Sequence, residues 1–457
     1  MPFDLSDSRL SSFAGGSHGI LPFEGATDHP AFRGNALDSL MNSAPSATPL
    51  RVLYLHQHYS GLDGATATRA HAMAAALAAR GHAVTLACGR YAGAETGLRL
   101  PFRNGRRDGR SGAGFRLVQW DIPCGNAQVM AARAMAFGRF ASRATGLALR
   151  GRWDVVFASS TPLTVAIPAL AAHHWHGTPF VFEIRDPWPE LPRAMGEAPG
   201  WVLAGMERLA DRACSNASAV IGLTEGMAET AIARGAAAGR VHVVPNGCDL
   251  DLFGPQVSRW RPVEAAPWEC LAVYAGAHGR ANGLDALPDA AAVLRGRGER
   301  RVRLVLVGEG AEKARLQAEA QVRALDNLTF LDPMPKRQLA QLLAGSQVAL
   351  HCLAEVPEFA EWTAPNKLMD GLAAGRPVVT NVAGRAARIV EAGPSGIAVP
   401  PGDAAALAEA LATLAGDPVR REAMGLAARA QAVRLWDRRL QARRLCEVVE
   451  AAARAEA

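Results

Sequence analysis

No two of the seven cysteines are close enough to form a Cys-x-x-Cys pair; they are scattered at positions 88, 124, 214, 248, 270, 352 and 446. An odd, dispersed set argues against a disulfide framework and a structural zinc site, and a reducing cytoplasm fits it best. Long apolar runs are missing too. None reaches the ~18 residues of a membrane span. The longest, Leu163 to Ala172, is bounded by Thr161-Pro162 and His173-His174 and reads as a buried helix. No basic n-region followed by an apolar h-region opens the chain, so no secretory signal is expected. Lysine is scarce, and arginine supplies nearly all the positive charge behind a net +6. A pI of about 9.1 permits phosphorylated substrates, an anionic membrane face or nucleic acid, and selects none of them. No helix-turn-helix or aromatic–basic sheet pattern is evident, so nucleic acid is not expected as a partner.

What is present is a long apolar chain rich in turns. Its 457 residues, 49% hydrophobic with 45 glycines and 28 prolines, suit two α/β domains. Residues 1–48, rich in Ser, Gly, Pro and Asp, read as a disordered leader or as sequence upstream of a true start at Met41. From Arg51 buried strand patterns alternate with helical ones: Arg51–His56, Ala83–Cys88, Phe115–Trp120, Val155–Ala158, Phe180–Ile184, Val220–Leu223 and His242–Val244. The link carrying Pro255, Pro262 and Pro267 interrupts the alternation. It then resumes through Leu271–Tyr274, Arg303–Val307, Thr329–Leu331, Val348–Leu353, Val378–Thr380 and Ile397–Val399. This predicts two doubly wound, Rossmann-like parallel-sheet domains, over 49–255 and 256–430, facing a cleft. Val433, Trp436 and Leu440 recur at helical spacing, so 431–457 is expected to be a helix bracing both domains.

The most informative stretch is Thr363 to Val379, TAPNKLMDGLAAGRPVV. Pro365 suits a first helical position and Gly375 a C′ stop. Helix N-termini offer unpaired N–H groups and favour anions. Lys367 in the first turn opposes the helix dipole and needs a compensating anion, which a diphosphate would supply. The alternative is that Lys367 simply points to water. Asp370, three residues on, could accept hydrogen bonds from sugar hydroxyls.

Further motifs fall at strand ends. Gly61 and Gly64 occupy the first strand-to-helix loop, where glycine allows close approach or merely a tight turn. Arg69 in the following helix could reach a phosphate or a nearby carboxylate. Gly308-Glu309-Gly310 and then Lys313 follow another strand. Arg185-Asp186-Pro187-Trp188-Pro189-Glu190 gathers charges and an aromatic residue beyond Ile184; Arg185 and Asp186 could also pair locally and shape the loop. Asn-Gly within Pro245-Asn246-Gly247-Cys248 reads as a turn near the hinge, and Cys248 lacks a partner that would make it a nucleophile. His56, His58 and His71 have no metal-site spacing. From Gln128 to Arg152 five arginines occur without an acid, interleaved with Met130, Met135, Phe137 and Phe140, and Arg103, Arg106, Arg107 and Arg110 precede them. Such a basic amphipathic helix suits an anionic membrane surface or a solvated face.

Together these segments resemble one family. DGATATRAHAMAAALAARGHAVT from Asp63, VFEIRDPWPE from Val181, VVPNGCDLDLF from Val243, YAGAHGRANGLDAL from Tyr274, VLVGEG from Val305 and the AAGRPVV helix are similar, in that order, to glycosyltransferases of family 4 with GT-B architecture. Bacterial O-antigen and exopolysaccharide enzymes of the L-fucosamine transferase type resemble it most. The resemblance implies a nucleotide-sugar donor, UDP-linked, on the C-terminal domain and a glycan or lipid-linked acceptor on the N-terminal domain. It further implies retention of configuration and neither metal nor cofactor. The residues themselves offer Asp186, Arg185 and Lys367 for catalysis, with Asp186 serving the acceptor hydroxyl. Donor contacts fall to Gly64, Arg280, Asn282, Gly308, Lys313, Asn366, Lys367 and Asp370. His58, Arg69, Trp188 and Glu190 lie on the acceptor side. Two features depart from the pattern. Trp362 stands where many members carry the first acid of a Glu-x7-Glu pair, and Asp370 takes the second position. Asn282 occupies the usual lysine position of a phosphate clamp whose arginine is also missing, leaving Arg280 and Lys367 as substitutes. A sugar-nucleotide 2-epimerase of the same architecture and a catalytically silent subunit are the rival readings.

Overall fold

The computed structural model describes residues 48–455 apart from 62, 63, 65–67, 126, 127, 187, 195, 197, 358, 364 and 365. The expectations for residues 1–47, Pro187 and Pro365 therefore lie outside the described residues. Two parallel sheets organise the rest. The first contains β1 (Arg51–Leu55), β2 (Ala83–Tyr91), β3 (Arg106–Arg110), β4 (Arg116–Cys124), β5 (Val155–Ser159), β6 (Phe180–Ile184), β7 (Ala219–Gly222) and β8 (Val241–Val243). Their order is β3-β4-β2-β1-β5-β6-β7-β8. The second contains β9 (Cys270–Ala275), β10 (Val302–Val307), β11 (Leu328–Leu331), β12 (Val348–His351), β13 (Val378–Thr380) and β14 (Gly396–Ala398), ordered β11-β10-β9-β12-β13-β14. Every neighbouring pair is parallel except the antiparallel edge pair β3–β4.

The central strands read as unbroken apolar runs because helices cover both sheet faces. Val52 to Leu55, Val155 to Ala158 and Val181 have no exposed surface. In the first sheet one face packs against the helices Met130–Arg150 and Ala166–His176, and the other against Arg69–Ala79. In each sheet the strand order reverses beside the first strand, between β1 and β5 and between β9 and β12. Ligands of open α/β sheets bind at the carboxyl ends beside such a reversal.

Three expectations change. The arginine-rich loop before Phe115 contains β3, and its charges are partly spent locally: Asp108 binds Arg106 and Arg116, each at 2.7 Å. Phe137 and Phe140 belong to the core, so the apolar exposure at the start of the basic helix comes from Val129, Met130 and Met135. The tail is not one bracing helix over 431–457. Pro418–Leu435 packs on the second domain, the helix breaks at Trp436, and Arg438–Arg454 returns to the first domain. Val433 is half exposed, which breaks the supposed stripe, whereas Trp436 is buried. Ala442, Leu445, Cys446 and Val449 complete the core beneath β1, β5 and β6.

The chain therefore crosses between domains twice, and the crossings touch. Cys248 N–H donates to Trp436 O at 2.7 Å, and Arg438 N–H donates to Cys248 O at 3.0 Å. A Cβ on Gly247 would stand 2.6 Å from Arg438 Cα, so only glycine admits the second crossing.

Candidate active site

At the reversal point of the second sheet, one lysine stands among neutral groups. Lys367 lies in the first turn of the helix Asn366–Ala373. Its Nζ donates to Asn282 Oδ1 at 2.6 Å and to Tyr274 Oη at 2.8 Å, and lies 4.5 Å from the Tyr274 ring centre. Tyr274 is on β9, Asn282 closes the 3-10 turn after it, and Asn366 begins the helix itself. A Cβ on Gly276 would come within 2.8 Å of Lys367 Cε, so the glycine leaves room for the lysine stem. Gly308 ends β10 with φ +147° and packs against Gly276 O, where a Cβ would stand 1.9 Å away.

The chain has three lysines, all in this half. Two are neutralised by carboxylates. Lys336 pairs with Asp370, and Lys313 binds Asp332 at 2.8 Å and Glu309 at 3.4 Å. No carboxylate among the described residues pairs with Lys367. Burial lowers its pKa to about 8. The groups nearest its charge are uncharged at neutral pH. Burial holds His278 at about 4 and His351 at about 3, and it raises the Cys352 thiol to about 12. The Tyr274 phenol is raised well above its ordinary range.

This corrects two donor-side expectations. Asp370 is buried, its Oδ2 is taken by Lys336, and burial raises its pKa, so it does not stand beside Lys367 as a hydroxyl acceptor. Lys313 is held by its carboxylates. Arg280 is exposed at the start of its turn. Gly64 belongs to the other domain, tight against Ser60 of its own loop and Glu95 of the loop after β2.

In the first domain the strand ends gather His56, Thr161, Arg185 and Asp186. Arg185 Nη1 donates to His56 Nε2 at 2.8 Å. His56 is buried, and burial followed by the Arg185 charge keeps it neutral, well below the ordinary imidazole range. With Nε2 accepting, Nδ1 carries the proton and faces Ser159 O at 3.4 Å. Asp186 Oδ2 accepts from Thr161 Oγ1 at 2.5 Å. Thr161 adopts φ +87°, a strained value for a β-branched residue and one that clusters at functional sites. Among the described ion pairs Arg185 and Asp186 are not partners, so each is held by a different strand end.

The remaining acceptor-side residues divide. Trp188 is half-buried against the core and leaves its indole N–H unpartnered; it lines one recess with Asp186 and Glu190. Glu190 is spent on Arg234, whose Nε lies 3.0 Å away. Arg69 is fully buried, with its guanidinium bound to Glu183 and to the carbonyls of Val244 and Pro245. His58 stacks on Tyr91 with centroids 4.3 Å apart, and burial lowers its pKa to about 3. No cluster of His, Cys, Asp or Glu among the described residues could hold a metal. Tyr274 and Thr161 join the site although nothing in the amino-acid string singles out either one; Tyr274 only opens the YAGAHGRANGLDAL segment.

The domains meet through the helices Glu225–Ala233 and Phe359–Trp362, with Arg385 Nε donating to Glu225 Oε2 at 3.2 Å.

Two family models match this chain: a glycosyl transferase 4-like domain over residues 64–247 and glycosyl transferases group 1 over residues 269–417. A D-inositol 3-phosphate glycosyltransferase of Kribbella flavida is 30% identical over 321 residues, 65% of this chain and 71% of that protein. Among solved structures, sucrose-phosphate synthase from Thermosynechococcus elongatus superposes with a TM-score of 0.70 at 18% identity, covering 88% of this chain and 98% of that one. HepE of Anabaena in complex with UDP-glucose gives 0.61 at 18% identity, covering 88% and 100%.

Proposed function

Since the chain belongs to the glycosyltransferases that join a 4-like N-terminal domain to a group 1 C-terminal domain in the GT-B fold, we propose that it transfers a sugar from a UDP-linked donor to a glycan or lipid-linked acceptor, with retention of configuration, in bacterial envelope polysaccharide assembly. The L-fucosamine transferase type is the branch that its motifs resemble. The observation that carries the proposal is Lys367, an ammonium with no carboxylate partner among the described residues, at the carboxyl-end reversal of the second sheet. A diphosphate is the anion such a site lacks. The HepE structure, bound to UDP-glucose, supports a donor of this class on the same fold.

Cleaving the sugar–phosphate bond places negative charge on the leaving diphosphate, and a preformed cation in a partly dry site stabilises that charge. Lys367 supplies it, with Gly308 and the first turn of the Asn366–Ala373 helix beside it and the exposed Arg280 within the adjoining loop. On the other domain Asp186 receives the acceptor hydroxyl, and Arg185 is oriented by neutral His56. An anionic membrane face would present a lipid-linked acceptor. The basic helix Met130–Arg150 carries exposed Arg139, Arg143 and Met135 toward such a surface, although no described helix is long and apolar enough to cross a membrane.

Hydrogen bonds to charged groups contribute about 1.5–3 kcal/mol, so Lys367→Ala should lower turnover of a UDP-sugar about tenfold to 150-fold. Donors are first ranked by thermal shift across UDP-, GDP- and dTDP-sugars, and turnover is then read by UDP release. Unchanged turnover at saturating donor rejects the assignment.

A further inference from the structure

We propose that Tyr274 and Asn282 are positioning residues that hold the Lys367 ammonium with neutral dipoles alone, leaving one of its N–H groups and its whole charge for the donor diphosphate. The inference rests on reading Lys367 as the diphosphate ligand.

An ammonium has three donors and no acceptor. Asn282 Oδ1 takes one at 2.6 Å and Tyr274 Oη another at 2.8 Å. Both acceptors are themselves fixed. Tyr274 has no exposed surface, and its hydroxyl lies 2.8 Å from Ala277 O and 2.9 Å from Asn282 Oδ1. Asn282 N–H donates to Gly279 O at 2.9 Å, and the turn is tied to the segment after β12 by Ala354 N–H to Ala281 O at 3.1 Å. The ammonium is therefore placed by a closed set of bonds within one domain.

The chemistry of the holders matters more than their number. A carboxylate at either position would grip the lysine more firmly, as Asp332 grips Lys313 and Asp370 grips Lys336. It would also cancel the charge. At Lys367 both holders are neutral, and the titratable groups facing it are Tyr274 on β9, His278 in the following loop, and His351 and Cys352 at the end of β12, each uncharged at neutral pH. Of the three lysines, this one alone has no carboxylate partner among the described residues. The tip of residue 282 lies within hydrogen-bond reach of Nζ, so an ammonium delivered from position 282 would occupy nearly the same place.

The test measures UDP binding by titration calorimetry at neutral pH, with melting curves confirming the fold. Lys367→Asn should weaken UDP, which tests the underlying reading. Asn282→Asp keeps shape and hydrogen bond but adds the cancelling charge; it should weaken UDP at least about tenfold and move the alkaline limb of binding to higher pH. Tyr274→Phe keeps the ring and should move that limb to lower pH. The double variant Asn282→Lys, Lys367→Asn should recover most of the lost affinity. Unchanged UDP affinity in Lys367→Asn overturns the diphosphate reading itself. If Lys367→Asn weakens UDP while Asn282→Asp and Tyr274→Phe both bind as the parent does, the diphosphate reading stands and the positioning role is refuted. A double variant no better than Lys367→Asn refutes the interchange of charge between the two positions.

Discussion

Arg69 and Glu183 form an ion pair in which neither side chain has exposed surface, with Nη2 2.7 Å and Nε 3.1 Å from the same carboxylate oxygen. Glu183 Oε2 also accepts from Ser159 Oγ at 2.6 Å. The pair thus joins the helix Arg69–Ala79 to the ends of β5 and β6, immediately before Arg185 and Asp186.

Removing one partner should unfold rather than inactivate. Glu183→Gln leaves a buried guanidinium short of its counter-charge, which costs about 3–5 kcal/mol. Calorimetry should show a melting temperature lower by roughly 10 °C, while protein that remains folded binds UDP as before. A melting temperature within error of the parent would show that the pair does not carry this part of the fold.

Asp186→Asn should slow transfer about a hundredfold, within the range of a lost acid–base group, and leave the dissociation constant for UDP unchanged. The split follows from placement: Asp186 sits with Thr161 on the first domain, and Lys367 on the second. Retained transfer with an intact fold would reduce Asp186 to a loop-shaping role.

Lys367 should give donor binding an alkaline limb. Its folded pKa of about 8 lies below the ~10.4 of an unfolded lysine. The charged form is therefore disfavoured by folding, and the penalty is fully present below pH 8. Between about 8 and 10.4 the unfolded chain binds more protons, so this group makes stability rise with pH while donor affinity falls. Lys367→Met should accordingly melt higher than the parent at neutral pH and lose donor binding. A flat UDP affinity from pH 7 to about 9.5 would contradict a Lys367 ammonium whose pKa is lowered.

Vesicles containing phosphatidylglycerol should float with the protein at low salt and release it at high salt. Basic residues near anionic lipid contribute ~1 kcal/mol each, so Arg139→Glu with Arg143→Glu should abolish flotation. Binding that ignores salt, or equal binding to phosphatidylcholine, would remove the lipid surface from the proposal.

Strand–helix alternation was legible because parallel strands covered on both faces leave apolar runs that no surface element mimics. Arg69 and Lys367 show where reading stops. Each is a cation in the first turn of a helix after a strand-end loop. The difference is Glu183, 114 positions from Arg69, whereas no carboxylate among the described residues pairs with Lys367. Such pairing is decided by the sheet order, which the chain spells only indirectly. The Asp370 reading failed for the same reason: helical spacing put it near Lys367, but Lys336, 34 residues earlier, meets it from another helix. Periodicity also missed the break at Trp436, since Val433, Trp436 and Leu440 keep helical spacing across a turn where the chain changes domain.

Because the final helix fills the underside of the first sheet, the first half cannot be cut out as an uninterrupted piece of polypeptide. A fragment ending near Cys248 would bare Val52, Val155 and Val181 where Leu445 and Val449 now cover them, and it should aggregate unless residues 437–455 are supplied in trans or spliced on directly. Translation adds a corollary: the first half stays unfinished until the ribosome has delivered the second.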